Sequence, residues 1–241
     1  MKNWRLGFTG VLTALVVASS ASPATHNDGP PTSIAALGDS ITLAACANGI
    51  SCSDALPDSW STGTNAAVQS HLLRLRAIWK DRRPVRAVNL ASDADVTMAD
   101  LAAQARQALK FRADYVTIEI GENDLCGSTS IAAFRAQLKH GLDVLSSNDT
   151  RAPATRILLL SIEDIVAHWR VLHDDPVARK TFKTGNGLDC ALGNQVSKTW
   201  LAQIQARARA LNAGTKEGRA GTDGSSRTRK SGKPMRDDEE R

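Results

Sequence analysis

The chain has 241 residues, 30 lysines and arginines against 25 aspartates and glutamates, and a formal net charge of +5. Hydrophobic residues at 42% supply a core and exclude a disordered polymer, while aromatics at 4% and the lack of a recognised binding motif exclude a nucleic-acid partner. Much of the excess charge sits at the two ends, in Lys2, Arg5 and a tail with eight basic and six acidic residues, so the body is near neutral. Arg74, Arg76, Lys80, Arg82, Arg83 and Arg86 cluster around one amphipathic helix and its exit and read as a solvated face.

In chain order, Lys2 and Arg5 precede an apolar run over 6–18 and small residues through Ala24, which predicts a secretory signal over 1–24, cleaved after Ala21 or Ala24. The run is shorter than the roughly twenty residues a membrane span needs, so an exported protein without a stable membrane anchor is expected. A strand over 34–37 stops at Gly38-Asp39-Ser40. A helix over 65–78 places Val68, Leu72, Leu75 and Ile78 on one face, and a strand follows over 85–90. Thr97 with Asp100 makes a capping-box start for the helix bearing Leu101 and Leu109. The β-branched run over 115–120 predicts a third strand, which stops at Gly121-Glu122-Asn123-Asp124. A helix over 131–145, a strand over 156–162 and a helix over 197–211 complete the alternation, which implies an α/β fold with a parallel sheet between helices and ligands beyond the strand C-termini. The domain is read as 25–213. Over 214–241 only Ala220 and Met235 are apolar, so a disordered polar tail is expected.

Export makes the four cysteines candidates for pairing. They allow three connectivities, of which Cys46–Cys52 with Cys126–Cys190 would brace loops at the C-terminal edge of the sheet. The spacings lack the paired Cys-x-x-Cys form of a zinc site, and no metal or cofactor is expected.

The chemistry rests on the two strand-ending turns. Glycine lets each chain segment turn without a side-chain clash, and a helix after the first turn would set Ser40 at its positive end. A serine at one strand end and an asparagine amide at another can hold a nucleophile opposite an oxyanion donor. Each has a bland alternative: Gly-Asp-Ser as a helix cap, and Asn123 as an Asx-turn. Their pairing resembles the SGNH, or GDSL, hydrolase family over residues 30–212, with Asp58-Ser59-Trp60-Ser61-Thr62-Gly63 and Asn89-Leu90-Ala91 similar to its secreted esterase and phospholipase-B-like branch. The resemblance implies a three-layer α/β/α, flavodoxin-like sheet of strand order 2-1-3-4-5, with four strands expected here. It makes Ser40 the nucleophile and the Ser40 N–H and Asn123 side chain oxyanion donors, with Gly38, Asp39, Gly121 and Asp124 supporting the turns.

Two blocks depart from the family pattern. Where the family has a glycine as third donor, counting back from Met98 gives Asp95 and counting forward from Asn89 gives Ala94. The Asp-x-x-His that supplies the base does not occur. His26, His71 and His140 read as solvated surface, and His168 and His173 follow a Ser-Ile-x-Asp-Ile stretch and not a catalytic loop. A gene product whose family C-terminal segment is replaced by an unrelated tail is therefore expected. The sequence reads as a monomeric secreted ester hydrolase acting on a small-molecule or lipid ester. The alternatives are a catalytically impaired remnant that binds ester or glycan ligands and, more distantly, a purely structural exported protein.

Overall fold

The first apolar run forms β1 (Ser33–Gly38), buried along its whole length. In the computed structural model, which describes residues 29–47, 55–80, 82–93, 95–147, 155–178 and 197–222, β1 lies inside a four-stranded sheet. The order is β2-β1-β3-β4, all parallel, with β2 at Arg86–Asn89, β3 at Tyr115–Glu119 and β4 at Arg156–Leu159. The period-2 alternation of strand side chains splits the core. Ala35, Leu37, Val116 and Ile118 pack with Met98, Leu101 and Phe134 on one face, while Ile34 packs with Leu72, Leu75 and Val85 on the other. This is the expected α/β architecture with helices on both faces.

Helix α1 (His71–Trp79) covers the smaller face. It starts later than expected. Asn65 folds onto its own backbone, its Oδ1 accepting from the Ala67 N–H at 3.0 Å, and Gln69 turns left-handed at φ 55°. Such side-chain turns compete with helix, so Ser70 becomes the N-cap, accepting from the Leu73 N–H. The buried stripe is accordingly Leu72 and Leu75 with Trp79 packed beside them, and Ile78 is 57% exposed.

The opposite face carries α2 (Leu101–Phe111), α4 (Ile131–Ser146) and α6 (Lys198–Thr222), with the short α3 (Glu122–Cys126) after β3 and α5 (Ile165–Leu172) after β4. The Thr97–Asp100 pair caps as expected, with the Thr97 N–H donating to Asp100 Oδ2 at 3.0 Å, and a turn of 3-10 helix leads into α2. β4 ends before 162 because Asn212 takes over the Ile162 backbone. Its Oδ1 accepts from the Ile162 N–H at 2.8 Å and its Nδ2 donates to the Ile162 carbonyl at 3.1 Å. The boundary expected at 214 is corrected. Leu201, Ala208, Leu211 and Thr215 are buried at helical spacing, so α6 continues through Gly214 to Thr222. A threonine ends that stripe, which hid its continuation. The leader over 1–24 and the tail over 223–241 lie outside the described residues. Among the described residues no helix is long and apolar enough to cross a membrane.

Candidate active site

Parallel pairing sets Gly38, the last residue of β1, opposite Glu119, the last of β3, so both polar turns leave the sheet at one edge. Gly38 is there because nothing larger fits: a Cβ would lie 2.2 Å from both the Glu119 carbonyl and Thr42 Oγ1. Its backbone is fixed by the buried Gln104 of α2, whose Oε1 accepts from the Gly38 N–H and whose Nε2 donates to the Gly38 carbonyl, each at 2.8 Å. Gly121 answers a different demand. Its φ of 128° is costly for any residue with a Cβ.

Asp39 joins the two turns. Fully buried, it accepts from the Ile41 N–H through Oδ1 at 3.1 Å and from the Gly121 N–H through Oδ2 at 3.2 Å. Burial pushes its carboxyl above the usual range, while main-chain donors, Glu122 among them, pull it back. Asp124 does the same one turn further on. Its Oδ2 accepts from the Met98 N–H at 2.7 Å, and burial again raises the carboxyl. Both aspartates accept main-chain N–H groups from another turn.

Ser40 is half-buried at the first turn, and among the described residues neither its N–H nor its hydroxyl has a hydrogen-bond partner. The expected helix after it is absent. Residues 40–47 form successive turns, with Ala44 and Cys46 left-handed at φ 59° and 62°, so the dipole of a regular helix does not act on Ser40. The segment is held from below: Ser59 Oγ donates to the Thr42 carbonyl at 2.8 Å, and Asn89 Nδ2 reaches the same carbonyl at 3.2 Å. The motif-bearing stretch around Ser59 and Asn89 is scaffold for the serine turn.

Asn123 sits in α3, its amide oriented by a donation from Nδ2 to the Val96 carbonyl at 2.8 Å. That leaves the second amide hydrogen for an oxyanion. Of the two candidates for the family glycine, Ala94 lies outside the described residues, while Asp95 has φ 50°, the backbone glycine favours. Its N–H donates to the Asp93 carbonyl at 2.9 Å, so this donor is engaged inside its own loop.

Several supporting residues carry no motif and were missed. Arg207 of α6 reaches across to the Asn123 turn, donating to the carbonyls of Leu125, Asp124 and Thr129 at 3.0, 2.7 and 2.5 Å. Its position among the polar residues of a helix resembles any solvated arginine, and only tertiary packing singles it out. Charge-assisted hydrogen bonds contribute about 1.5–3 kcal/mol each. Arg207→Ala removes three such bonds together and should therefore lower the unfolding free energy by at least the ~1.5–3 kcal/mol of one of them and slow any Asn123-dependent hydrolysis; thermal unfolding beside ester kinetics checks both.

The histidines are dispersed. His140 is exposed. His71 is not solvated surface as expected: its Nδ1 lies 2.9 Å from the Tyr115 hydroxyl and its ring meets Trp60 edge-on. His168 Nε2 lies 2.9 Å from Glu163, and His173 stacks on Trp169 at 4.4 Å. His26 lies outside the described residues, as do Cys52 and Cys190; Cys46 and Cys126 are not free thiols. No group of three or more potential metal ligands occurs among the described residues.

The model of the GDSL-like Lipase/Acylhydrolase family matches residues 36–222, a stretch that contains both turns and ends with α6. The chain belongs to this family. Solved structures similar to this family member include LAE5, an alpha/beta hydrolase enzyme from the metagenome of Lake Arreo, at 18% identity and a TM-score of 0.41, covering 78% of this chain and 73% of that one. A variant of Axe2, an acetyl xylan esterase from Geobacillus stearothermophilus, is similar at 18% identity and 0.43 over the same shares. TesA is similar at 21% and 0.37, covering 77% of this chain and 99% of that one. A search of curated proteins finds no match. Membership of a GDSL-like lipase/acylhydrolase family sets the hydrolase class.

Proposed function

We propose that the chain is an exported carboxylic-ester hydrolase, of the esterase or lipase type, in which Ser40 is the nucleophile. The observation that carries the reading is the buried Asp39 carboxylate holding the Ile41 and Gly121 N–H groups, which locks the serine turn to the asparagine turn. Attack of the Ser40 oxygen on an ester carbonyl places negative charge on the carbonyl oxygen, for which the Ser40 N–H and the remaining Asn123 hydrogen are the donors, with Asp95 as a third once its bond to Asp93 opens. Disulfides Cys46–Cys52 and Cys126–Cys190 would tie both turns to their loops, in keeping with export and with Cys46 and Cys126 not being free. The protein acts as a monomer.

Removing one oxyanion donor costs about 10²–10³-fold in turnover elsewhere. Asn123→Ala should slow hydrolysis of a short activated ester by that factor without loss of folding, whereas an unchanged rate would reduce Asn123 to a turn residue.

A second reading is favoured by the histidines. No Asp-x-x-His occurs in the sequence, His71 is engaged by Tyr115, and His173 is stacked on Trp169. A serine without a base hydrolyses slowly, which supports a catalytically impaired, ester- or glycan-binding form of the same site. Rapid turnover that is lost in His168→Ala would reject this reading and give the base to the Glu163–His168 pair.

A further inference from the structure

Two carboxyls lie together beneath the Ser40 turn, and their hydrogen bonds are unequal. Asp39 accepts from the main-chain N–H groups of Ile41, Gly121 and Glu122. Glu119, 6% exposed, has one side-chain partner among the described residues: the Thr42 hydroxyl, 3.2 Å from Oε2 and 3.1 Å from the Glu119 carbonyl. Among the described residues the charged groups bearing on Glu119 are Asp39 at the end of β1 and Glu163 after β4, the latter paired with His168. Two buried carboxylates facing one another cannot both ionise cheaply. Main-chain donors favour the charge on Asp39, which leaves the proton on Glu119.

We propose that Glu119 is a positioning residue for the nucleophile: as the neutral acid its carboxyl lets β3 abut the Asp39 carboxylate and anchors Thr42, two residues beyond Ser40. Ionising it would set a second buried negative charge against Asp39 and Glu163, a repulsion that the stronger bond from Thr42 to a carboxylate offsets only in part, and would press on the turn whose Gly38 has no spare room against Glu119 and Thr42. Burial, with Asp39 next, pushes the Glu119 carboxyl up to about 8, in line with this placement. The effect on reactivity rests on Ser40 being the nucleophile; the proton linkage does not.

The linkage has a definite sign. Between the ordinary Glu range near 4.5 and about 8 the folded chain holds a proton that the unfolded chain has released, so stability falls as pH rises across that window and levels above it. The test is thermal unfolding and fluorophosphonate labelling rate against pH, on the wild type, Glu119→Gln and Ser40→Ala. The wild type should lose thermal stability across the window, and its labelling should fall away from that of Glu119→Gln with a midpoint near 8. Glu119→Gln, a neutral isostere, should lose both dependences. If it keeps the wild-type slope and profile, the proposal is overturned. Should Glu119→Gln fail to fold, the ¹³C carboxyl resonance of Glu119 in the wild type decides: a midpoint near 8 supports the proposal and one near 4.5 overturns it. A stability slope that Glu119→Gln removes, with labelling that survives Ser40→Ala, would sink the nucleophile reading while supporting the shared proton.

Discussion

A chimera in which a family C-terminal segment containing Asp-x-x-His follows Thr222 should hydrolyse short activated esters several orders of magnitude faster than the native chain. A serine hydroxyl stays protonated at neutral pH, and loss of the base from a serine protease triad costs about 10⁶ in turnover. The junction follows from the fold. α6 carries Arg207 and Asn212, which hold the Asn123 turn and the end of β4, so a graft beginning at 214 would cut the helix bearing Thr215 in the core. A chimera that folds but stays as slow as the native chain would mean that the Ser40 turn is not poised for attack. A native chain already as fast as the chimera would mean that a base is present, and His168→Ala and His173→Ala would find it.

Ser40→Ala is expected to abolish ester hydrolysis and leave thermal unfolding largely unchanged. The hydroxyl makes no hydrogen bond to the described residues, and the turn is held instead by Asp39, Thr42 and Gln104, so little of the fold depends on it. A large fall in unfolding temperature would show that the hydroxyl is structural. Hydrolysis persisting at the original rate would place the nucleophile elsewhere.

The strands were legible because β1 and β3 are runs of mostly apolar or β-branched residues that stop at or just before a glycine, a pattern that a buried parallel strand and a polar turn both require, while their order came only from the family resemblance. The start of α1 was not, since an apolar stripe continued on paper through Val68 while the Asn65 side-chain turn prevailed in space. The sequence reading ends α6 at 211 because the polar tail composition beyond it masks one more buried position, Thr215. In the site, Ser40, Asn123 and their glycines carry local signatures. Glu119, Gln104 and Arg207 do not: each acts through a partner 66 or more residues away, or across a strand pair, and no local pattern encodes that. Asp95 lies between: counting along the sequence gives either Ala94 or Asp95 as the counterpart of the family glycine, and Asp95 has the left-handed φ that glycine favours.

The most direct measurement is peptide mapping of the fluorophosphonate adduct by mass spectrometry on the purified native chain, with Ser40→Ala beside it. The account predicts a single adduct on Ser40, formed slowly, and none on the variant. An adduct on another residue, or one that forms equally on Ser40→Ala, would contradict it.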